Sequence, residues 1–133
     1  MSIRFLKSRT TIGVRDVTAS IVYYQQALGF EVLATMGEPA NFALLGGGVG
    51  VGVGDAGLGL VQSASPAVGD FVCCYFDVEG VEELHQRCAD AGVAITGALT
   101  RQPWGNYDFV IADPDGHQLA FGEVPARLAE PGA

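Results

Sequence analysis

Residues 15–33, RDVTASIVYYQQALGFEVL, recur in outline at residues 76–95, FDVEGVEELHQRCADAGVAI. Asp16-Val17 returns 61 positions later as Asp77-Val78, and Gly29 returns 63 positions later as Gly92, so the second helical stretch carries two more residues. Self-similarity at such a spacing marks a duplicated supersecondary unit. Both copies are punctuated alike. An Asp stands before a helical stretch, where its carboxylate can accept from free N–H groups. Val17, Ile21, Tyr24 and Leu28 share one helical face, as do Val81, Leu84, Cys88 and Ala91. A glycine ends each helix and suits a left-handed cap.

Working outward, each helix is flanked by strands. The first copy reads RTTIGV, helix, FEVLATM, NFALLG and GVGVGV (residues 48–53). The second reads DFVCCYF, helix, VAITGAL, YDFVIA and HQLAFGE. The expected class is α+β. Two βαβββ modules, residues 8–61 and 70–124, form one curved, mixed, mostly antiparallel sheet with the helices on its convex face. Residues 62–69 are the expected linker and 125–133 a loose tail, within a single domain of residues 1–133.

Composition bounds the function. The chain has 133 residues, 49% hydrophobic and 17% charged, too apolar for a disordered segment. No apolar run reaches the ~18 residues of a membrane helix, and MSIRFLKSRTT has no signal-peptide core, so a cytoplasmic location is expected. A net charge of −8 argues against a nucleic-acid partner, whose phosphates require Lys and Arg. Cys73, Cys74 and Cys88 form no C-x-x-C and read as reduced structural thiols.

Gly52-Val53-Gly54-Asp55-Ala56-Gly57 is a literal G-x-G-x-x-G. A dinucleotide fingerprint needs a helix starting inside the motif. The LGLVQSASP that follows Gly57 is not a helix start, so the glycines read as a strand. In the turn DPDG (residues 113–116), Pro114 suits the first corner and Gly116 the position of positive φ, joining the last two strands as a hairpin.

The repeat resembles the vicinal oxygen chelate superfamily of glyoxalases, extradiol dioxygenases and bleomycin resistance proteins. The resemblance is carried by VRDVTASIVYYQQALGFEV and PWGNYDFVIADPDGHQLAFGE and spans about residues 9–123. The segments FVCCYFDVEGVEELHQRC and PWG lean toward the bleomycin-resistance-like branch. Metal-dependent members hold a divalent ion with His, Gln or Glu from the first and last strands of each module. Carried over, those positions fall at Arg9, near Gly52, at Asp70 and at Ala120. Arg carries a fixed positive charge, Gly and Ala offer no donor, and one carboxylate does not hold Mg²⁺, Mn²⁺ or Fe²⁺ tightly. Neither a metal nor another cofactor is expected.

Side chains alternate along a strand with period two. Anchored on those positions, the concave face carries Arg9, Thr11 and Gly13; Gly50, Gly52 and Gly54; Asp70, Val72 and Cys74; and Gln118, Ala120 and Gly122. Bulky apolar residues, Ile12 and Val14, Val49, Val51 and Val53, Phe71, Cys73 and Tyr75, and Leu119 and Phe121, are expected on the other face under the helices, so the cup is lined by small residues and has room for a ligand. Trp104 and Tyr107, in QPWGNYDF, offer rings for stacking at the rim, with Phe42 and Phe109 as further candidates. Arg9 and Asp70 are expected near each other as a polar anchor.

The resemblance implies a homodimer with ligand pockets at its interface. The expected function is metal-free binding of a bulky antibiotic or secondary metabolite, conferring resistance by sequestration, with no catalytic residue. One alternative is a cofactor-free isomerase, cyclase or hydrolase in which Asp70 is the base and Arg9 the oxyanion partner. Another is a metal-dependent lyase or dioxygenase, which the donor count disfavours. The ligand stays open between a cationic glycopeptide and a polycyclic aromatic.

Overall fold

The structure, a computed structural model, describes residues 2–47 and 56–124. The chain divides into two compact units, Met1–Ala67 and Val68–Ala133. The first contains β1 (Thr10–Val14), α1 (Val17–Leu28), β2 (Glu31–Met36), β3 (Phe42–Gly46) and β4 (Gly57–Gln62). The second contains β5 (Val72–Asp77), α2 (Val81–Asp90), β6 (Ala94–Arg101), β7 (Tyr107–Ala112) and β8 (Gln118–Glu123). Both are βαβββ, as the repeat implies. Each sheet has four strands, in the orders β1-β4-β3-β2 and β5-β8-β7-β6. The outer first strand runs parallel to the last, and the other pairs are antiparallel. No helix among the described residues is long and apolar enough to cross a membrane.

In the first unit Asp16 caps α1 by accepting from the Ala19 N–H at 3.1 Å. Gly29 ends the helix in the left-handed region, φ 76°. Val17, Tyr24, Ala27 and Leu28 turn inward. They share a core with Val14, Leu45, Leu58 and Leu60, all fully buried. Tyr24 meets Phe30 edge-on at 5.7 Å, the offset geometry aromatic rings prefer.

The fourth strand departs from expectation. It is GLGLVQ, residues 57–62, rather than GVGVGV at 48–53; the latter lies outside the described residues, Gly50 and Gly52 with it. Both segments alternate glycine with an apolar residue, so period two fits either. In β4, Leu58 and Leu60 face the helix, paired with Leu45 and Ala43 of β3. Gly57, Gly59 and Val61 therefore face away from it.

The second unit packs α2 against Phe109, Ile111, Leu119 and Phe121. Phe76 stacks on Phe121 at 5.4 Å, and His85 meets Phe109 edge-on at 5.1 Å. Asp113 closes the DPDG turn, its Oδ1 accepting from the N–H groups of Asp115 and His117, with Gly116 at φ +97°.

Asp77 does not cap α2; it ends β5, and the residue before the helix is Gly80, which has no side chain to offer. Glu123, at the end of β8, supplies the carboxylate instead. Its Oε1 accepts from the N–H of Gly80 at 3.0 Å and of Val81 at 2.9 Å. Gln62, at the end of β4 and 61 positions earlier, does the same for α1. Its Oε1 accepts from Val17 N–H at 3.1 Å, and its Nε2 donates to the Arg15 carbonyl. In both units the last residue of the last strand closes the first turn of the helix.

Candidate functional site

In each unit the helix covers one sheet face, and the opposite face is the candidate site. Strand register places its residues. In the first unit it carries Thr11 and Gly13 of β1, Gly59 and Val61 of β4, and Phe42 and Leu44 of β3. Gly59 is a close approach: a Cβ there would lie 2.6 Å from Thr11 Oγ1. Small residues on the last strand thus turn away from the helix, as expected, but they are Gly57 and Gly59.

In the second unit a β-bulge between Val72 and Cys74 changes the expected faces of β5. A bulge inserts one extra residue against the partner strand and reverses the side-chain alternation beyond it. Val72, opposite Gln118, keeps the expected face. Past the bulge, Cys74 and Phe76 turn to the helix side, opposite Leu119 and Phe121, and Tyr75 turns away, opposite Ala120. The expectation that Cys74 faces the cup and Tyr75 the core is reversed. Beside Tyr75 the same face carries Ala120 and Gly122 of β8 and Asp108 and Val110 of β7.

These residues form a hydrogen-bonded cluster. Tyr75 Oη donates to Asp108 Oδ2 at 3.2 Å and accepts from Asn106 Nδ2 at 3.3 Å. Gln102 Nε2 donates to the other Asp108 oxygen at 2.7 Å. Asp108 is 8% exposed, whereas Tyr75 keeps 42% of its surface open. A Cβ at residue 122 would stand 1.8 Å from Tyr75 Oη, so the phenol lies directly over Gly122. Burial pushes the Tyr75 hydroxyl above its ordinary range; donation from Asn106 opposes this and the Asp108 carboxylate adds to it. Sequence reading missed Tyr75 and Asp108. The signal for Asp108 was its polar side chain inside the apolar strand YDFVIA; Tyr75 was hidden by the bulge.

The expected site residues distribute unevenly. Trp104, 66% exposed, sits in the β6–β7 hairpin loop, which is closed by Gln102 N–H on the Asn106 carbonyl and Gly105 N–H on the Gln102 carbonyl. Trp104 therefore lies in the chain between two members of the Asp108 cluster, Gln102 and Asn106. Gln118 and Ala120 lie on the same face as Tyr75. Phe42 begins β3, half-buried, on the helix-averted face of the first unit.

Tyr107 and Phe109 do not join them. They alternate onto the helix side of β7. Phe109 is core, 1% exposed between His85 and Phe121. Tyr107 lines a cleft of about 530 Å³ with Gly80, Val81, Glu82, Glu83 and Glu123, and the Arg101 guanidinium lies 5.6 Å from its ring centre. Arg9 and Asp70 are exposed residues preceding β1 and β5, one in each unit.

The donor set does not fit the divalent ion of metal-dependent relatives. Arg9 is a cation, Ala120 has no donor, and the outward residues of β4, Gly57, Gly59 and Val61, have none either. Among the described residues no group of three or more His, Cys, Asp or Glu side chains converges.

Comparison with known proteins agrees with this architecture. The profile of the Glyoxalase/Bleomycin resistance protein/Dioxygenase superfamily matches residues 8–121. A bleomycin resistance protein of Geobacillus stearothermophilus is 27% identical over 127 residues, covering 87% of this chain and 95% of that one. The crystal structure of a bleomycin resistance determinant encoded on the transposon Tn5 superposes with a TM-score of 0.72 at 20% identity, covering 90% of this chain and 98% of that one. A bleomycin-binding protein complexed with bleomycin gives 0.69 at 19% identity, covering 88% and 97%.

Proposed function

The chain belongs to the glyoxalase/bleomycin resistance protein/dioxygenase superfamily, and from that membership we propose that it binds an antibiotic-like small molecule and protects by sequestration, without a metal ion and without turnover. The observation that carries the reading is the chemistry of the helix-averted faces. Their last strands present Gly57 and Gly59 in one unit and Ala120 and Gly122 in the other. The glycines let polar side chains lie flat on the sheet, Thr11 against Gly59 and the Tyr75 phenol over Gly122, where a ligand approaching that face would meet them. The polar groups beside them are hydrogen-bond partners for a ligand rather than a nucleophile with its base. The likeness to bleomycin resistance proteins over most of both chains supports the ligand class. Pairing of two copies into a homodimer belongs to the same proposal.

Protection by stoichiometric binding requires tight affinity, nanomolar to micromolar, or about −8 to −12 kcal/mol. Isothermal titration with metal-free bleomycin tests this, with recovery of the ligand and its mass measurement. Saturable binding in that range with unchanged mass is expected. Steady conversion of the ligand refutes sequestration, and a stoichiometric divalent ion in the purified protein refutes the metal-free reading.

A further inference from the structure

The Tyr75 phenol is fixed at its tip and open along its ring. Its hydroxyl is held from both sides, by Asp108 and by Asn106, and lies over the bare backbone of Gly122. Asn106 and Gln102, the two residues that also close the hairpin loop, bind the same cluster. The loop that carries Trp104 and the strand that carries Tyr75 are therefore tied through one buried carboxylate. The Tyr75 ring, 42% open, is thus held on the same framework whose loop carries Trp104, 66% open. A ring with its rotamer already fixed loses little freedom when a ligand stacks on it.

Charge narrows the ligand. Asp108 receives its hydrogen bonds from a phenol and an amide, both neutral, so neither donor cancels its charge. Asp77 stands in register with Gly122 and Asp108 on the same face. The whole chain carries −8. A positive charge on a stacked ring would meet the negative ring face and these carboxylates together.

We infer that Tyr75, pinned by Asp108 and Asn106, is a ligand-binding platform that works with Trp104 and selects planar aromatic groups bearing positive charge. The inference rests on the small-molecule-binding reading above, which concerns bleomycin-type ligands in general. It adds a residue, an ion preference and a positioning role for Asp108.

Trp104 is the sole tryptophan of the chain and reports binding by its own fluorescence. Ethidium, a planar cation, and metal-free bleomycin are titrated into wild type, Tyr75→Ala, Tyr75→Phe and Asp108→Asn. 1-Pyrenesulfonate serves as the planar anion. Circular dichroism confirms that each variant is folded. Wild type is expected to bind a cationic probe at least fivefold more tightly than the anion. Kd for the cationic probe should rise at least fivefold in Tyr75→Ala and Asp108→Asn, and less in Tyr75→Phe, which keeps the ring. Asp108→Asn, isosteric with the native side chain, tests the proposal even if Tyr75→Ala does not fold. If wild type binds either cationic probe but every folded variant keeps Kd within twofold, the platform is refuted while the binding reading stands. Equal affinity for the anion refutes the charge preference. If neither ethidium nor bleomycin binds wild type, both the platform and the reading beneath it fall.

Discussion

Gly122→Ala is the sharpest probe of the Tyr75 arrangement. The added methyl would stand 1.8 Å from Tyr75 Oη, 2.6 Å from its Cζ and 3.1 Å from the Cβ of Asp108. The half-exposed Tyr75 ring is the part able to yield, and swinging it away breaks the bonds to Asp108 and Asn106. At 3.2 and 3.3 Å these are long hydrogen bonds, worth about 1 kcal/mol each. The alanine also lowers the entropy of the unfolded chain, returning roughly 0.4–1 kcal/mol. The expected net loss is about 1–1.5 kcal/mol. In a Tyr75→Ala background the ring is gone and both bonds are already lost, so the same methyl should cost nothing or stabilise slightly. Urea unfolding of wild type, both single variants and the double variant, followed by far-UV circular dichroism, measures the difference. The coupling should reach about 1–2 kcal/mol. A coupling below about 0.5 kcal/mol, the range in which independent sites add, would show that the phenol does not rest on Gly122.

Further outcomes follow from the same geometry. Glu123→Ala should destabilise by about 1–2 kcal/mol in urea unfolding, the cost of a lost helix cap. Glu123→Gln, which keeps the acceptor but loses the charge favourable at a helix N-terminus, should cost about half that. Cys88 is fully buried and burial pushes its thiol up to about 11. Since the thiolate is the reactive form, iodoacetamide at pH 8 should label Cys73 and Cys74 first and reach Cys88 only on unfolding, as read by peptide mass mapping. The same shift makes stability depend on pH. The unfolded thiol releases its proton near its ordinary 9.0 and the folded one near 11, so this contribution is complete below pH 9 and is lost as pH rises through 11. The urea midpoint should fall less steeply between pH 9 and 11 in Cys88→Ala than in wild type.

The repeated helical stretch and glycine made both modules legible, since Gly29 and Gly92 take the left-handed region just after their helices, and in the first module Asp16 caps the helix as its position implies. Hydrophobic alternation correctly put Ile12, Val14, Leu119 and Phe121 on the helix side. It erred in two places for definite reasons. The run from Gly46 to Gly59 contains two stretches that alternate glycine with an apolar residue, and nothing local says which one pairs with β1. In CCYF the bulge displaces the pattern by one, so Tyr75 and Cys74 exchanged faces. The replacement of Asp77 by Glu123 at the start of α2 lay beyond local reading altogether. That contact joins residues more than 40 positions apart and depends on two strands lying side by side.

Those paired closures by Gln62 and Glu123 bear on how each module holds together. The acceptor for the opening N–H of α1 arrives with β4, and the acceptors for α2 arrive with β8. The helix, near the start of the module, is thus completed by its final residues. A fluctuation that peels the last strand from the sheet also uncaps the helix, so the two ends of the module open and close as one cooperative segment. A fragment ending before Gln62 or Glu123 would fray from its helix's first turn, and the module is the smallest length of this chain over which the hydrogen bonding closes.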